Sequence, residues 1–212
     1  MTKAGGFRWG RPRSSTLAAM LAAAEQAGVT YDHLGSTVTD GSESELNRAR
    51  RNAESAGRAF RQVEVLLGSD AESFDSARTS LRHWACHSGI NAAIYPELAP
   101  INEGQTVLVC LPAGPGMIVV PNRIVTVVDE ANRFGFAYGT LEGHQERGEE
   151  SFIVEQQSDG SVLGRIAVDS CPGSLITRAA GPAAVLLQRV AIRRYLGSLR
   201  EDVARRSTSR GE

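Results

Sequence analysis

Five strand-length segments follow one another with no helix between them: Gln105–Leu111, Met117–Asp129, Arg133–Thr140, Gly148–Gln156 and Val162–Ser170. Gly, Pro, Asn or Asp punctuates each junction, which is the chemistry tight turns need. Strands in unbroken succession pair antiparallel through hairpins. A sheet built this way has an apolar side that must be covered. The element able to cover it is a helix from about Thr177 to Ala204, with Val185, Ile192, Leu196, Leu199 and Val203 in one stripe and Pro182 in its first turn.

Upstream, "AFRQVEVLL" alternates from Ala59, with Val63, Val65 and Leu67 on one face, and reads as a strand. Ser69 stands three residues before Glu72, a capping box. The helix it opens runs to about His87, with Phe74, Ala77, Leu81 and Trp84 at helical spacing, and Gly89 ends it. "INAAIYP" is a short strand closed by Pro96. The order is strand, helix, six strands, long helix. This predicts an α+β helix-grip architecture: a curved antiparallel sheet of about seven strands wrapped on the C-terminal helix, with a cavity between them. Pro121 is expected at an edge or bulge.

Residues 1–14 are Gly- and Arg-rich and are expected to be disordered. Ser15 or Thr16 caps an N-terminal helix ending near Gly28, with Leu17, Met20, Leu21 and Ala24 on one face. Lys3, Arg8, Arg11 and Arg13 ahead of "LAAMLAAAEQAG" have the outline of a secretory leader, but Glu25 and Gln26 soon break the short apolar run. Residues 38–58 are polar and read equally as a solvated helix or a mobile loop. One domain over 15–205 with a disordered tail at 206–212 is the expected organisation. No stretch is long and apolar enough for a membrane span.

The formal net charge is −1, which gives no global field toward nucleic acid or anionic lipid. Cys86, Cys110 and Cys171 form an odd set without a CxxC, so neither a disulfide framework nor a zinc ribbon is indicated, and a cytoplasmic location follows.

The stretch "FGFAYGTLEGHQERGEESF", Phe134 to Phe152, concentrates reactive side chains on one hairpin. A turn near Gly143 sets Tyr138 opposite Gly148, Phe136 opposite Glu150 and Phe134 opposite Phe152. Parity then divides the hairpin. Phe134, Phe136, Tyr138, Thr140, Glu146, Glu150 and Phe152 share an inward face, with His144 at its rim, and these residues are the candidate ligand contacts. Glu150 among aromatics is a candidate general acid or base, since desolvation raises a carboxyl pKa. His144 and Tyr138 are candidate partners. The hairpin also reads as packing by Tyr138 across Gly148, with Glu146, Arg147, Glu149 and Glu150 in cross-strand ion pairs that are worth little individually.

Elsewhere the signals are weaker. His83 and His87 lie four apart on one helical face, but without an HExxH pattern a solvent-facing pair is expected and no metal site. Cys86 reads as a buried thiol. "LPAGPGM" is a turn between strands rather than a phosphate loop. The arginines of the last helix read as a charged outer face. Tyr31 is expected to pack over a cavity edge.

"FGFAYGTLEGH" with "ERGEESF", the upstream "NRIVTVVDE" and the early "TYDHLGST" resemble the DUF1990 (UPF0548) family, over residues 16 to 204. That family is grouped with the helix-grip, Bet v 1-like or START-like (SRPBCC) superfamily. The resemblance implies a cavity for a hydrophobic small molecule, or an enzyme of the same fold with cyclase- or hydrolase-like chemistry. It implies no cofactor. A third reading is an interaction module whose cavity is filled by its own side chains.

Overall fold

The computed structural model describes residues 3–173 and 175–210, and the side chains of these except 175–185 and 209–210. Thirteen elements follow in order: β1 (Gly6–Trp9), α1 (Ser14–Glu25), α2 (Glu43–Ser55), β2 (Ala59–Gly68), α3 (Ala71–Arg82), α4 (Ala85–Ser88), β3 (Ala93–Tyr95), β4 (Thr106–Ala113), β5 (Gly116–Asp129), β6 (Arg133–Thr140), β7 (Glu146–Gln156), β8 (Val162–Pro172) and α5 (Leu175–Arg210). The strands form one eight-stranded antiparallel sheet in the order β2-β8-β7-β6-β5-β4-β3, with β1 paired to β5. This is the α+β helix-grip architecture expected from the order of elements.

The sheet is covered on both sides. On the concave side Ile192, Tyr195, Leu196, Leu199 and Val203 of α5 join Phe74, Leu81, Trp84, Phe136, Phe152 and Ile166 in the main core. The stripe read from the sequence is therefore the buried one, with Tyr195 added; Val185 and Pro182 fall outside the described side chains. On the convex side α1 buries Met20 and Ala24 against Leu108, Cys110 and Val119, while α2 buries Ala53 against Phe60 and Ala167. Within residues 38–58 the segment Glu43–Ser55 is thus a helix. Ser42 caps it by accepting from Glu45 N, and its Ala53 side is apolar enough to dock.

The helix α1 begins at Ser14, with Arg13 at its N-cap position in place of Ser15 or Thr16, and α5 continues to Arg210, into the tail expected from 206. Three further expectations change. The N-terminal segment supplies β1: Gly6 to Trp9 pair with Val119 to Gly116. A strand this short has too few alternating residues to register as one. Pro121 lies inside the sheet rather than at an edge. Its carbonyl accepts from Leu141 N, so its missing N–H also faces the β6 side, where β5 passes from its last β1 partner, Val119, to its first β6 partner, Asn122. The gap between two partner strands removes the donor requirement that normally bars proline.

The third change concerns the helix expected to run from Ser69 to His87. Its cap is Asp70, which accepts from Ser73 N at 2.7 Å, and not Ser69. The helix breaks after Arg82. Trp84 adopts a left-handed backbone (φ 57°) and a short second helix, α4, follows. Burying the Trp84 indole, whose Nε1 donates to Ala99 O, accompanies this break. The rotation carries His87 off the solvent-facing side and into the core, where it is 1% exposed. Among the described residues no cluster of His, Cys, Asp and Glu could hold a metal ion, and no helix is long and apolar enough to cross a membrane.

Candidate functional site

The β6–β7 hairpin pairs Phe136 with Phe152 and Tyr138 with Glu150. This register is displaced by two residues from one centred on Gly143. The reversal spans residues 141–145, with His144 N donating to Leu141 O. The ladder stops at Gly139–Glu149, and Gly148 N turns instead to Thr140 Oγ1 at 3.0 Å. Gly148 sits at φ 149°, and a Cβ there would lie 2.0 Å from Asp169 O. Because side chains alternate with period two, a slip of two leaves every residue on its expected face.

Between the concave face and α5 lies a cavity of about 510 Å³. Much of its wall is apolar, from Ile90, Val109, Ile118, Val120, Val168, Leu187 and Ala191. Polar residues also line it: Asn122, Tyr138, Thr140, His144, Glu146, Glu149, Glu150, Ser170, Gln188 and Tyr195. Arg194 also lines it and is otherwise exposed. Of the eight hairpin residues singled out from the sequence, Tyr138, Thr140, His144, Glu146 and Glu150 line this space. Phe134, Phe136 and Phe152 do not. They lie beyond its end, each no more than 2% exposed, with the Phe136 and Phe152 rings stacked at 5.3 Å and Arg82 over Phe134 at 4.3 Å.

The cavity end nearest these rings carries a linked set of polar groups. Tyr138 Oη donates to Glu150 Oε2 at 2.8 Å and lies 3.3 Å from His87 Nε2. Since the phenol hydrogen goes to Glu150, His87 is the donor in the second contact, which places its proton on Nε2. Its Nδ1 is buried without a partner. Tyr195 packs its ring on His87 and Phe152. Glu146 Oε2 accepts from Ser170 Oγ at 2.9 Å and Gln188 Nε2 at 3.1 Å.

Burial dominates the electrostatics. It raises the Glu150 carboxyl to about 7; the Tyr138 hydrogen bond works against this rise and the Glu146 charge adds to it. Burial lowers His87 to about 3 and His144 to about 4, where Nδ1 accepts from Glu146 N at 2.9 Å. Burial, followed by the Glu150 charge, raises Tyr138 and Tyr195 well above the ordinary phenol range. At neutral pH both histidines are neutral, both phenols keep their protons, and Glu150 is divided between its two forms. The arrangement can hold an apolar body and exchange one proton with it.

The TYDHLGST segment belongs to the other side of the sheet. Tyr31 does not reach the cavity edge. It lies across Gly139 on the convex face, where a Cβ would be 2.0 Å from Tyr31 Oη. Its hydroxyl donates to Glu149 Oε2, and Gly35 N, Thr37 N and Thr37 Oγ1 donate to the same carboxylate. Glu149 is 2% exposed, and so is an anchor for this segment rather than one of a set of surface ion pairs.

Five contributors were not among the candidates read from the hairpin: His87, Tyr195, Asn122, Ser170 and Gln188. Tyr195 had a signal, since it stands three residues after Ile192 and four before Leu199 in the buried stripe. Ser170 and Asn122 lie on inward parity of their strands, but without the register nothing connects them to Glu150.

A curved antiparallel sheet gripping a long helix across a partly polar cavity defines a helix-grip fold. The chain belongs to the DUF1990 family, described as a domain of unknown function, whose model matches residues 30–198. It is 27% identical over 189 residues to the UPF0548 protein At2g17695 of Arabidopsis thaliana, covering 85% of this chain and 89% of that protein. Among solved structures it is similar to hypothetical protein jhp0584 from Helicobacter pylori (TM-score 0.49, 12% identity, 66% of this chain and 84% of that one). It is also similar to Ara h 8.0201 (TM-score 0.47, 15% identity, 70% and 99%).

Proposed function

We propose that residues 15–205 act as one unit that holds a hydrophobic small molecule in the cavity between β4–β8 and α5. The observation that carries this reading is the cavity of about 510 Å³, apolar along most of its wall and polar at one end. Binding sites for small molecules combine these two features, and a volume of this size falls in their usual range. It also speaks against a core filled by its own side chains. Three free cysteines, two of them buried, fit a reducing cytoplasmic setting. Native mass spectrometry of protein purified from its own host is expected to reveal a retained small molecule. As a defined probe, Nile red is expected to bind in the micromolar range. Ala191→Trp, which fills the cavity from α5, is expected to weaken it about tenfold or more, with the melting temperature changed by only a few degrees. Unchanged probe binding in this variant would count against the cavity as the site.

A second reading, acid–base chemistry on the bound molecule, is favoured by one observation. Glu150 titrates near neutrality while hydrogen-bonded to a phenol that His87 supports from behind. Glu150→Gln keeps the shape and removes the proton exchange. On this reading a candidate substrate still binds within about threefold while its conversion falls by a factor on the order of 10² or more. Equal loss of binding and conversion would assign Glu150 to binding alone.

A further inference from the structure

The cavity reaches solvent at α5, where Leu187, Val190 and Arg194 line it and are exposed, and at Pro112 near the end of β4, which does the same. We propose that this mouth docks on the surface of an anionic lipid bilayer. The use of such docking, passage of an apolar molecule between bilayer and cavity, rests on the cavity being the binding site.

The first observation is that apolar side chains are exposed on both sides of the mouth. On α5, Leu186 and Leu187 are 62% and 70% exposed, with Val190 a turn further on. On the sheet side, the β1–β5 register sets Phe7 beside the cavity-lining Ile118 and Trp9 beside Gly116. Residues opposite one another in an antiparallel ladder share a face, so both aromatic rings stand on the cavity side of the sheet. The Phe7 ring closes over Gly116, where a Cβ would lie 2.7 Å from it, while Trp9 is left 80% exposed. Large apolar side chains gathered around an opening mark a binding surface. Indole rings favour the lipid–water interface, and leucines the acyl boundary below it.

The second observation is where the charge falls. The net charge is −1, yet no Asp or Glu precedes Glu25 and none stands between Asp169 and Glu201. These two segments supply the two sides of the mouth. Arg11 and Arg13 follow Trp9, and Arg189, Arg193 and Arg194 accompany the leucines on α5; all five are exposed. Among the described residues the ion pairs of α5 are those of Arg205 and Arg206 with Asp202, well along the helix from the mouth. Glu146 and Glu150 line the cavity from β7, and the exposed Glu142 lies in the turn where Gly143 closes on Gly5, at the other end of β1 from Trp9. Attraction to an anionic surface acts within a Debye length, so a local set of arginines is felt where the net charge is not.

The two observations together select the partner. A second copy of the chain applying the same face would set arginines against arginines. A nucleic acid would answer the arginines and leave Leu186 and Leu187 in water. An anionic bilayer offers phosphates to the arginines and hydrocarbon to the leucines and the indole.

Vesicles test the proposal on the intact chain. The probes are phosphatidylcholine alone and phosphatidylcholine with about 30 mol% phosphatidylglycerol. Binding is read by co-sedimentation and by tryptophan emission. The chain has two tryptophans and Trp84 is buried, so a blue shift on vesicles reports Trp9. Binding is expected to be at least about tenfold tighter with phosphatidylglycerol present, and to weaken by a similar factor at about 0.5 M salt. Trp9→Ser and Arg189→Glu are each expected to weaken it about tenfold. Neither residue lines the cavity, so Nile red binding without vesicles stays within about twofold, which also reports that both variants are folded. Equal binding to the two vesicles, unchanged binding in both variants, or no binding to either vesicle would overturn the docking surface and leave the cavity reading standing. Self-association that Trp9→Ser abolishes would assign the face to a second copy, and displacement of vesicles by a single-stranded oligonucleotide would assign it to nucleic acid; either overturns the proposal. Vesicle binding without Nile red binding would keep the docking surface and overturn the cavity reading that gives it a use.

Discussion

Replacing Glu149 with alanine is expected to destabilise the fold by about 3 kcal/mol or more, the largest effect of any single polar truncation on the hairpin. The carboxylate is 2% exposed and accepts four hydrogen bonds: Gly35 N at 2.8 Å, Thr37 Oγ1 at 2.6 Å, Tyr31 Oη at 3.0 Å and Thr37 N at 3.1 Å. Hydrogen bonds to a charged group contribute about 1.5–3 kcal/mol each, and donors left buried without a partner add their own desolvation cost. Burial and the Glu149 charge hold the Tyr31 phenol firmly protonated, so the donor is always present. Thr37 carries the coupling further, because its carbonyl accepts from Ser151 Oγ on β7 at 2.9 Å. Urea denaturation measures the loss. Faster amide exchange at Gly35 and Thr37 localises it to the segment over the convex face. A change under about 0.5 kcal/mol would mean that the segment is held by something other than this anchor.

The hairpin shows which information the sequence carries. β6 has the bounds expected, Arg133–Thr140, because Gly, Asn and Asp mark its ends and aromatic residues alternate within it. The inward face was also legible, since alternation is a local property. The pairing was not. The turn centre depends on how residues 141–145 close and on Gly148 leaving the ladder, and both follow from contacts with β5 and β8 rather than from local spacing. With the corrected register Tyr138 lies opposite Glu150, and this pairing makes their hydrogen bond.

His87 marks a different limit. Its spacing from His83 is a property of an uninterrupted helix, and the helix is interrupted by Trp84 in a left-handed conformation. That break depends on a tertiary demand, the burial of the indole with its Nε1 on Ala99 O. His83 stays exposed while His87 enters the core, and no helical periodicity separates the two. Glu149 was misread for a related reason. Its partners lie more than a hundred residues away in the chain, so a reading confined to the hairpin could only pair it with neighbouring charges.

The buried histidines and Glu150 make a quantitative prediction about pH. Between about pH 4.5 and 6.5 an unfolded chain protonates its histidines, while the folded chain keeps His87, at about 3, and His144, at about 4, neutral. The unfolded state therefore binds more protons, and each histidine makes stability rise with pH by about 1.4 kcal/mol per unit. Glu150 has the opposite sign. Its folded carboxyl keeps the proton up to about 7, whereas the unfolded one has lost it above 4.5. That term makes stability fall with rising pH by the same amount and cancels one histidine. From these three groups the intact chain is expected to lose about 1.4 kcal/mol per unit on acidification through this window. His87→Gln preserves a donor toward Tyr138 and removes one term, so its slope should approach zero. Glu150→Gln removes the opposing term, and its slope should double to about 2.8 kcal/mol per unit. Urea denaturation at half-unit intervals resolves differences of this size. If His87→Gln kept the slope of the intact chain, His87 would have to reach protons in the folded state. The cavity would then extend past Tyr138 to the histidine behind it, in place of ending at the rings of Phe136 and Phe152.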